Sequence, residues 1–236
     1  MFLLDSILLI YIAAAVLPAL FLMRFIYRQD RIEPEPSGLL LSLVLKGVLA
    51  ALCSIVLESI GEAVLNGFVS EDDPKYSIIL AFLIVAVVEE GTKFFFLYRR
   101  TWNDPNFNYR FDGVVYAAFV SLGFAAFENI GYVFRFGILV SPTRALLAVP
   151  GHLGFSVFMG TFYGRAKVCE ASGNESGKRA NLAAAYLSAV FLHGFYDACA
   201  MIGSNLSTGL FVLFVIVMYI VCYRLIRYDA GTDGPV

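Results

Sequence analysis

The feature that most constrains this sequence is its series of unbroken apolar stretches. Seven can be drawn, at about 2–23, 38–60, 77–98, 111–134, 142–163, 181–203 and 208–226. Each is close to the ~20 residues that a helix, rising ~1.5 Å per residue, needs to cross ~30 Å of hydrocarbon. Their interiors show none of the apolar–polar alternation of a transmembrane strand, which sets a β-barrel aside. The pattern predicts an all-α, polytopic helical bundle of about seven transmembrane helices, multi-pass in the cell membrane, with the lipid bilayer as its surroundings.

Composition agrees. Only 15% of the 236 residues are charged and 59% are hydrophobic, whereas soluble domains carry about 25% charged residues. A net charge of −2 and the lack of a basic stripe exclude nucleic acid as a partner. Cys53, Cys169, Cys199 and Cys222 form no CxxC pair, so neither a disulfide scaffold nor a thiolate metal knot is expected. The first stretch lacks a basic leader and ends at Arg24, as a retained helix does rather than a cleaved signal peptide. Pro142, Arg144 and Pro150 interrupt the fifth stretch, and a kink is expected at Pro150–Gly151. The polar run 169–179 reads as a mobile connector. No loop is long enough for a second domain, so one domain, 1–236, is expected, with its motif-bearing core helices at about 77–203. The lack of an internal repeat weakens an inverted-repeat transporter.

Charge sets an expected orientation. Twelve of the 17 Lys/Arg fall in segments 24–37, 99–110, 164–180 and 227–236, with Arg224 at their margin, while the alternate segments hold only Lys75, Arg135 and Arg144. By the positive-inside rule this places the N-terminus outside and the C-terminus in the cytoplasm.

Nine ionisable groups remain inside the stretches: Lys46, Glu58, Glu89, Glu90, Lys93, Glu128, His152, His193 and Asp197. A charge at bilayer depth costs several kcal/mol unless it is paired, hydrated or turned inward. So many in one small chain point to a shared polar site. In VVEEGTK, Lys93 follows Glu90 by three residues and Glu89 by four, so both carboxylates can reach it. Glu89 and Glu90 themselves differ by about 100° around a helix, so only one is expected to point inward. In FAAFEN, Glu128 neighbours Asn129, an amide able to hold a carboxylate, steady an oxyanion or join helices. His152 follows PG, and HGFYD sets His193 and Asp197 one turn apart, where the carboxylate can fix the imidazole tautomer. Glu89, Glu90, Glu128, His152, His193 and Asp197 all fall between mid-membrane and the outer third. Glu58 rims the same depth, and Lys46 is expected to snorkel towards the cytoplasmic side. Gly160 and Gly164 form a small-xxx-small pair suited to close helix packing.

Two hydrolytic chemistries fit these residues. Glu89 or Glu90 can act as general base on a water, with a carboxyl then assisting the departing amine. Alternatively His152, His193, Glu90 and Glu128 can hold a divalent metal such as zinc, although no HExxH helix is present. A proton- or ion-coupled transporter would use the same buried cluster, and a non-catalytic scaffold is the third reading.

The ordered set EEGTK at 89–93, FAAFEN at 124–129, GH at 151–152 and HGFYD at 193–197 resembles the PrsW family of intramembrane proteases, in the wider clan of CAAX prenyl proteases and bacteriocin-processing enzymes. The resemblance implies an intramembrane endopeptidase acting on a single-pass membrane substrate, of the anti-sigma-factor kind, near the outer side of the membrane. It implies catalytic roles for Glu89, Glu90, Glu128, His152 and His193, and supporting roles for Lys93, Asn129 and Asp197. It leaves the cofactor open between a divalent metal and none.

Overall fold

The computed structural model describes residues 2–236, and side chains from residue 7 onward. Met1 of the expected domain lies outside the described residues. The chain folds into α1 (Phe2–Tyr27), α2 (Ser37–Asn66), a continuous helical run comprising α3 (Tyr76–Ile79), a π-helical stretch (Leu80–Ala86) and α4 (Val87–Thr101), then α5 (Asp112–Phe136), a 3-10 turn (Ile138–Val140), α6 (Ser141–Leu146), α7 (Ala148–Ala171), α8 (Glu175–Ile202) and α9 (Asn205–Gly231). Among the described residues, six helical segments are long and apolar enough to cross a membrane. The run Tyr76–Thr101 is long enough too, but every membrane-length window within it contains Glu89, Glu90 and Lys93. The site itself thus lowers the hydropathy of the helix that carries it.

Helix α5 is the centre of the bundle: 78% of its most apolar window is buried, against 17% for the described part of α1. Exposed Leu, Ile, Val and Phe side chains on α1, α2, α8 and α9 supply the apolar outer surface. Small residues set the closest approaches. A Cβ placed on Gly160 would lie 2.6 Å from the Gly113 carbonyl oxygen, and one on Gly164 would strike the Arg110 carbonyl. The small-xxx-small pair therefore seats α7 on the start of α5.

The end of the bundle that carries most basic residues is tied together by its loops. Tyr109 bridges Pro235, Arg110 donates its amide to Gly234 (3.0 Å) and Val236 donates to the Asn108 carbonyl (2.8 Å). The Tyr116 hydroxyl donates to Glu35 at 2.6 Å, linking α5 to the connection between α1 and α2.

Two sequence expectations are corrected. The break in the fifth stretch falls at Leu147, between α6 and α7, rather than at Pro150–Gly151. Pro142 sits at the start of α6 and Pro150 in the first turn of α7, where a missing N–H is tolerated. The carbonyls of Leu146 and Leu147 are taken by the Tyr219 hydroxyl, at 2.8 and 3.2 Å. The polar connector also shrinks, because α7 continues to Ala171 and α8 begins at Glu175. Asn174 caps α8 by accepting from the Gly177 amide, which lets a helix start inside what reads as a Gly/Ser-rich loop.

Candidate active site

Four helical segments deliver the ionisable side chains to one place. On α4, Lys93 Nζ donates to Glu89 Oε2 at 3.0 Å and to Glu90 Oε1 at 2.8 Å, and it lies 3.1 Å from His152 Nδ1 on α7. An ammonium has donors only, so His152 Nδ1 is the acceptor and Nε2 carries the proton. That proton faces Glu128 Oε2 on α5, 3.1 Å away. On α8, His193 turns Nδ1 to Glu90 Oε1 (2.8 Å) and Nε2 to Asp197 Oδ2 (3.2 Å). Phe155 stacks on the His193 ring at 4.8 Å between centroids, and Phe124 lies 3.9 Å beneath the Lys93 ammonium. These aromatic walls exclude solvent from the charged centre.

Burial is nearly complete. Glu90 is 0% exposed, Lys93 1%, His152 and His193 4% and Glu89 5%. Both adjacent glutamates therefore point inward, contrary to the expectation that only one would. The interior surrounds α4 at this level, with α2 and α5 to one side and α8 to the other. Lys93 draws both carboxylates to itself.

A polar cavity of about 540 Å³ opens beside the cluster, lined by Glu89, Glu128, His152, His193 and Asp197 among others. Glu90 is not part of its wall. Glu58 is, so the residue expected at the rim does reach the cavity. Lys46 lies apart, 5.8 Å from the Phe96 ring. Asn129 is wholly buried; its amide nitrogen donates to the Ala15 carbonyl at 3.0 Å, joining α5 to α1, and its oxygen accepts from Arg144.

Arg144 is the residue that reading the sequence did not single out. Counted there as a loop cation, it donates Nη2–H to Glu128 Oε2 at 2.7 Å and stacks 3.6 Å from the Tyr132 ring centroid. The available signal was its position, a lone arginine between two prolines at the end of the chain's spans that is otherwise poor in basic residues.

The side chains suited to hold a metal are Glu89, Glu90, His152 and His193, whose donor atoms all lie within 4.8 Å of one another. Glu128 is engaged by His152 and Arg144 instead. Mixed imidazole and carboxylate donors suit zinc, and the buried Glu90 Oε2, without a partner among the described residues, is an oxygen such an ion would satisfy. Lys93 Nζ touches three of the four residues, so an ion could settle there only if the ammonium moved aside.

Fold and site together define a class: a polytopic membrane protein with acid–base and potential metal-binding groups enclosed at bilayer depth, an intramembrane protease of the glutamate or metal-dependent type. The chain belongs to the PrsW family, since the family model described as PrsW family intramembrane metalloprotease matches residues 35–223. It is 37% identical to Protease PrsW of Geobacillus kaustophilus over 79% of this chain and 77% of the relative. It is 32% identical to Protease PrsW of Oceanobacillus iheyensis over 94% and 97%. With Protease PrsW of Bacillus subtilis the figures are 31%, 79% and 80%. No solved structure matches the chain significantly.

Proposed function

We propose that the chain works as a single domain of seven membrane spans that hydrolyses a peptide bond in a single-pass membrane protein of the anti-sigma-factor kind. Its basic loops face the cytoplasm and its site opens towards the outer half of the bilayer. One observation carries this reading: acidic and imidazole groups from α4, α5, α7 and α8 converge on a single polar cavity. Glu89 is the general base. It lines the cavity, whereas Glu90 is enclosed between Lys93 and His193 and acts as a brace.

Lys93 Nζ, 3.0 Å from Glu89 Oε2, holds the Glu89 carboxylate at the cavity wall. A water in the cavity beside Glu89 attacks the scissile carbonyl carbon as Glu89 removes its proton. The tetrahedral intermediate then collapses, the C–N bond breaks, and the proton passes to the departing amine, leaving a carboxylate and an amine. Asp197 fixes the orientation of the His193 ring. Glu128, held by His152 and Arg144, shapes the opposite wall. A zinc ion held by Glu89, Glu90, His152 and His193 would supply Lewis acidity and a water that ionises near neutrality.

The test is cleavage of a single-pass anti-sigma factor in liposomes by the intact chain and by Glu89→Gln. A fall of about 10²–10⁴-fold with the fold preserved is expected for loss of a general base. Undiminished cleavage would remove Glu89 from the mechanism. Ion flux through substrate-free liposomes that vanishes in the same variant would favour a transporter. Adding a chelator such as 1,10-phenanthroline to the same reaction decides between metal-dependent and metal-free catalysis.

A further inference from the structure

Helices α2 and α5 touch closely at one level and part at another. A Cβ on Gly47 would strike the Val120 carbonyl, and one on Gly123 would strike the Val44 carbonyl. Two turns further along α5, a Cβ on Gly131 would meet nothing within 4 Å. A second cavity, of about 490 Å³, occupies the gap. Its walls are mid-helix residues of α2, from Ala51 to Glu58, and the second half of α5, from Phe124 to its last residue Phe136, with Glu89 of α4 at its floor. Along α2 the gap lies mid-helix beside the exposed Ile55, so it opens sideways between the two helices, where hydrocarbon would lie, and along α5 it extends to the helix end. The polar cavity is bordered by other elements, with Thr143, Arg144 and Leu147 from the chain around α6, Tyr196 of α8 and Phe211 of α9 in its walls.

The two cavities share Glu58, Glu89, Glu128 and Tyr132. Peptide hydrolysis within a bilayer needs two routes, one for water and one for a chain arriving from lipid. A substrate helix must also unwind at the scissile bond, and its freed amides then require acceptors that hydrocarbon does not offer. Glu58 meets that need: its Oε1 is buried and has no partner among the described residues, and the side chain lines both cavities.

Building on the proteolytic reading above, we propose that the α2–α5 gap is the lateral opening through which a membrane-spanning substrate segment reaches Glu89, unwinding against Glu58, while water arrives through the polar cavity. Ile55, Phe127 and Phe136 give the gap apolar walls for a substrate helix leaving lipid, and Arg135 stands at its α5 end.

The experiment uses full-length protein in liposomes with a single-pass anti-sigma factor as probe. A photo-crosslinking residue replaces Ile55 in the gap or Phe211 in the polar cavity, in an otherwise wild-type chain and in a Glu89→Gln chain. Crosslinking from position 55, reduced at least tenfold by Gly131→Trp and unaffected by Gly38→Trp at the far end of α2, is the expected result. Gly131→Trp should also slow cleavage of the membrane-anchored probe at least tenfold. It should leave a short soluble peptide carrying the same scissile bond cleaved within twofold of wild type.

Crosslinking from position 211 alone, or from neither position, overturns the lateral opening whether or not the wild-type chain cleaves. Equal loss of both substrates in Gly131→Trp overturns it as well, because that variant would then damage the site rather than the approach to it. Crosslinking at 55 with no cleavage by the wild-type chain keeps the opening and removes the proteolytic reading.

Discussion

Lys93 governs the site through a single atom, because its ammonium lies within 3.1 Å of two carboxylates and an imidazole. Removing one partner of a buried ion pair leaves charge uncompensated, at about 3–5 kcal/mol. Lys93→Met is expected to lower unfolding stability by that amount in detergent titration and to abolish cleavage. Lys93→Met with Glu90→Gln should recover part of the stability, since one carboxylate no longer needs a counter-charge. Arg144 acts one step further out. Arg144→Gln should lower kcat about 10–100-fold, as loss of an outer-shell partner does, with KM unchanged within twofold because the residue orients Glu128 and His152. Arg144→Lys should not rescue it, since an ammonium cannot reproduce the guanidinium's bonds to both Glu128 and Asn129. The contacts of Lys93 with Glu89 and Glu90, and of His193 with Asp197, were legible in the sequence because i,i+3 and i,i+4 spacings put those groups within reach. The Arg144–Glu128 pair was not. It joins α6 to α5 through a helix break that no local periodicity encodes.

The helical elements show where local chemistry governs and where packing overrides it. Six of the seven apolar stretches become long helices close to the expected spans, since burial of backbone amides leaves a membrane chain little choice. The fifth differs, because tolerance for Pro150 in a first turn and a hydroxyl from α9 settled the break three residues earlier than the dipeptide suggested. A second carboxylate group lies in the connections at the basic end, outside the spans. Burial pushes Glu35 up to about 7, with Asp30 and Asp104 adding repulsion and the Tyr116 hydroxyl opposing the shift. Burial pushes Asp30 up to about 6, with Asp233 and Glu33 adding to it. Asp112 at the head of α5 also faces Glu35. A carboxyl whose folded pKa is raised favours the fold while protonated. That contribution is present below its ordinary value of 4.5 and is lost as pH rises towards about 7. Stability should therefore fall between roughly pH 4.5 and 7, and Glu35→Gln should flatten that part of a Tm-against-pH curve. An unchanged slope in the variant would assign the dependence to other groups.

At the scale of the whole molecule, the arrangement separates what holds the bundle from what opens it. The connections at the basic end are knotted together by the C-terminal residues, and the Gly113–Gly160–Gly164 contact locks α5 to α7 nearby. The site residues lie away from that end: His152 is in the second turn of α7, and Asp197 is five residues before the end of α8. If the basic end is cytoplasmic, the site opens outward and meets a substrate at its extracytoplasmic flank. This can be decided directly. In a chain with its four cysteines replaced, Lys75→Cys lies in the exposed connection after α2, and Ser172→Cys in the exposed turn between α7 and α8. These connections lie at opposite ends of the bundle. A membrane-impermeant maleimide applied to intact cells should label position 75 at once and position 172 only after permeabilisation. The reverse pattern would place the site on the cytoplasmic side. It would then exclude any substrate cut outside the membrane, even with the chemistry at Glu89 unchanged.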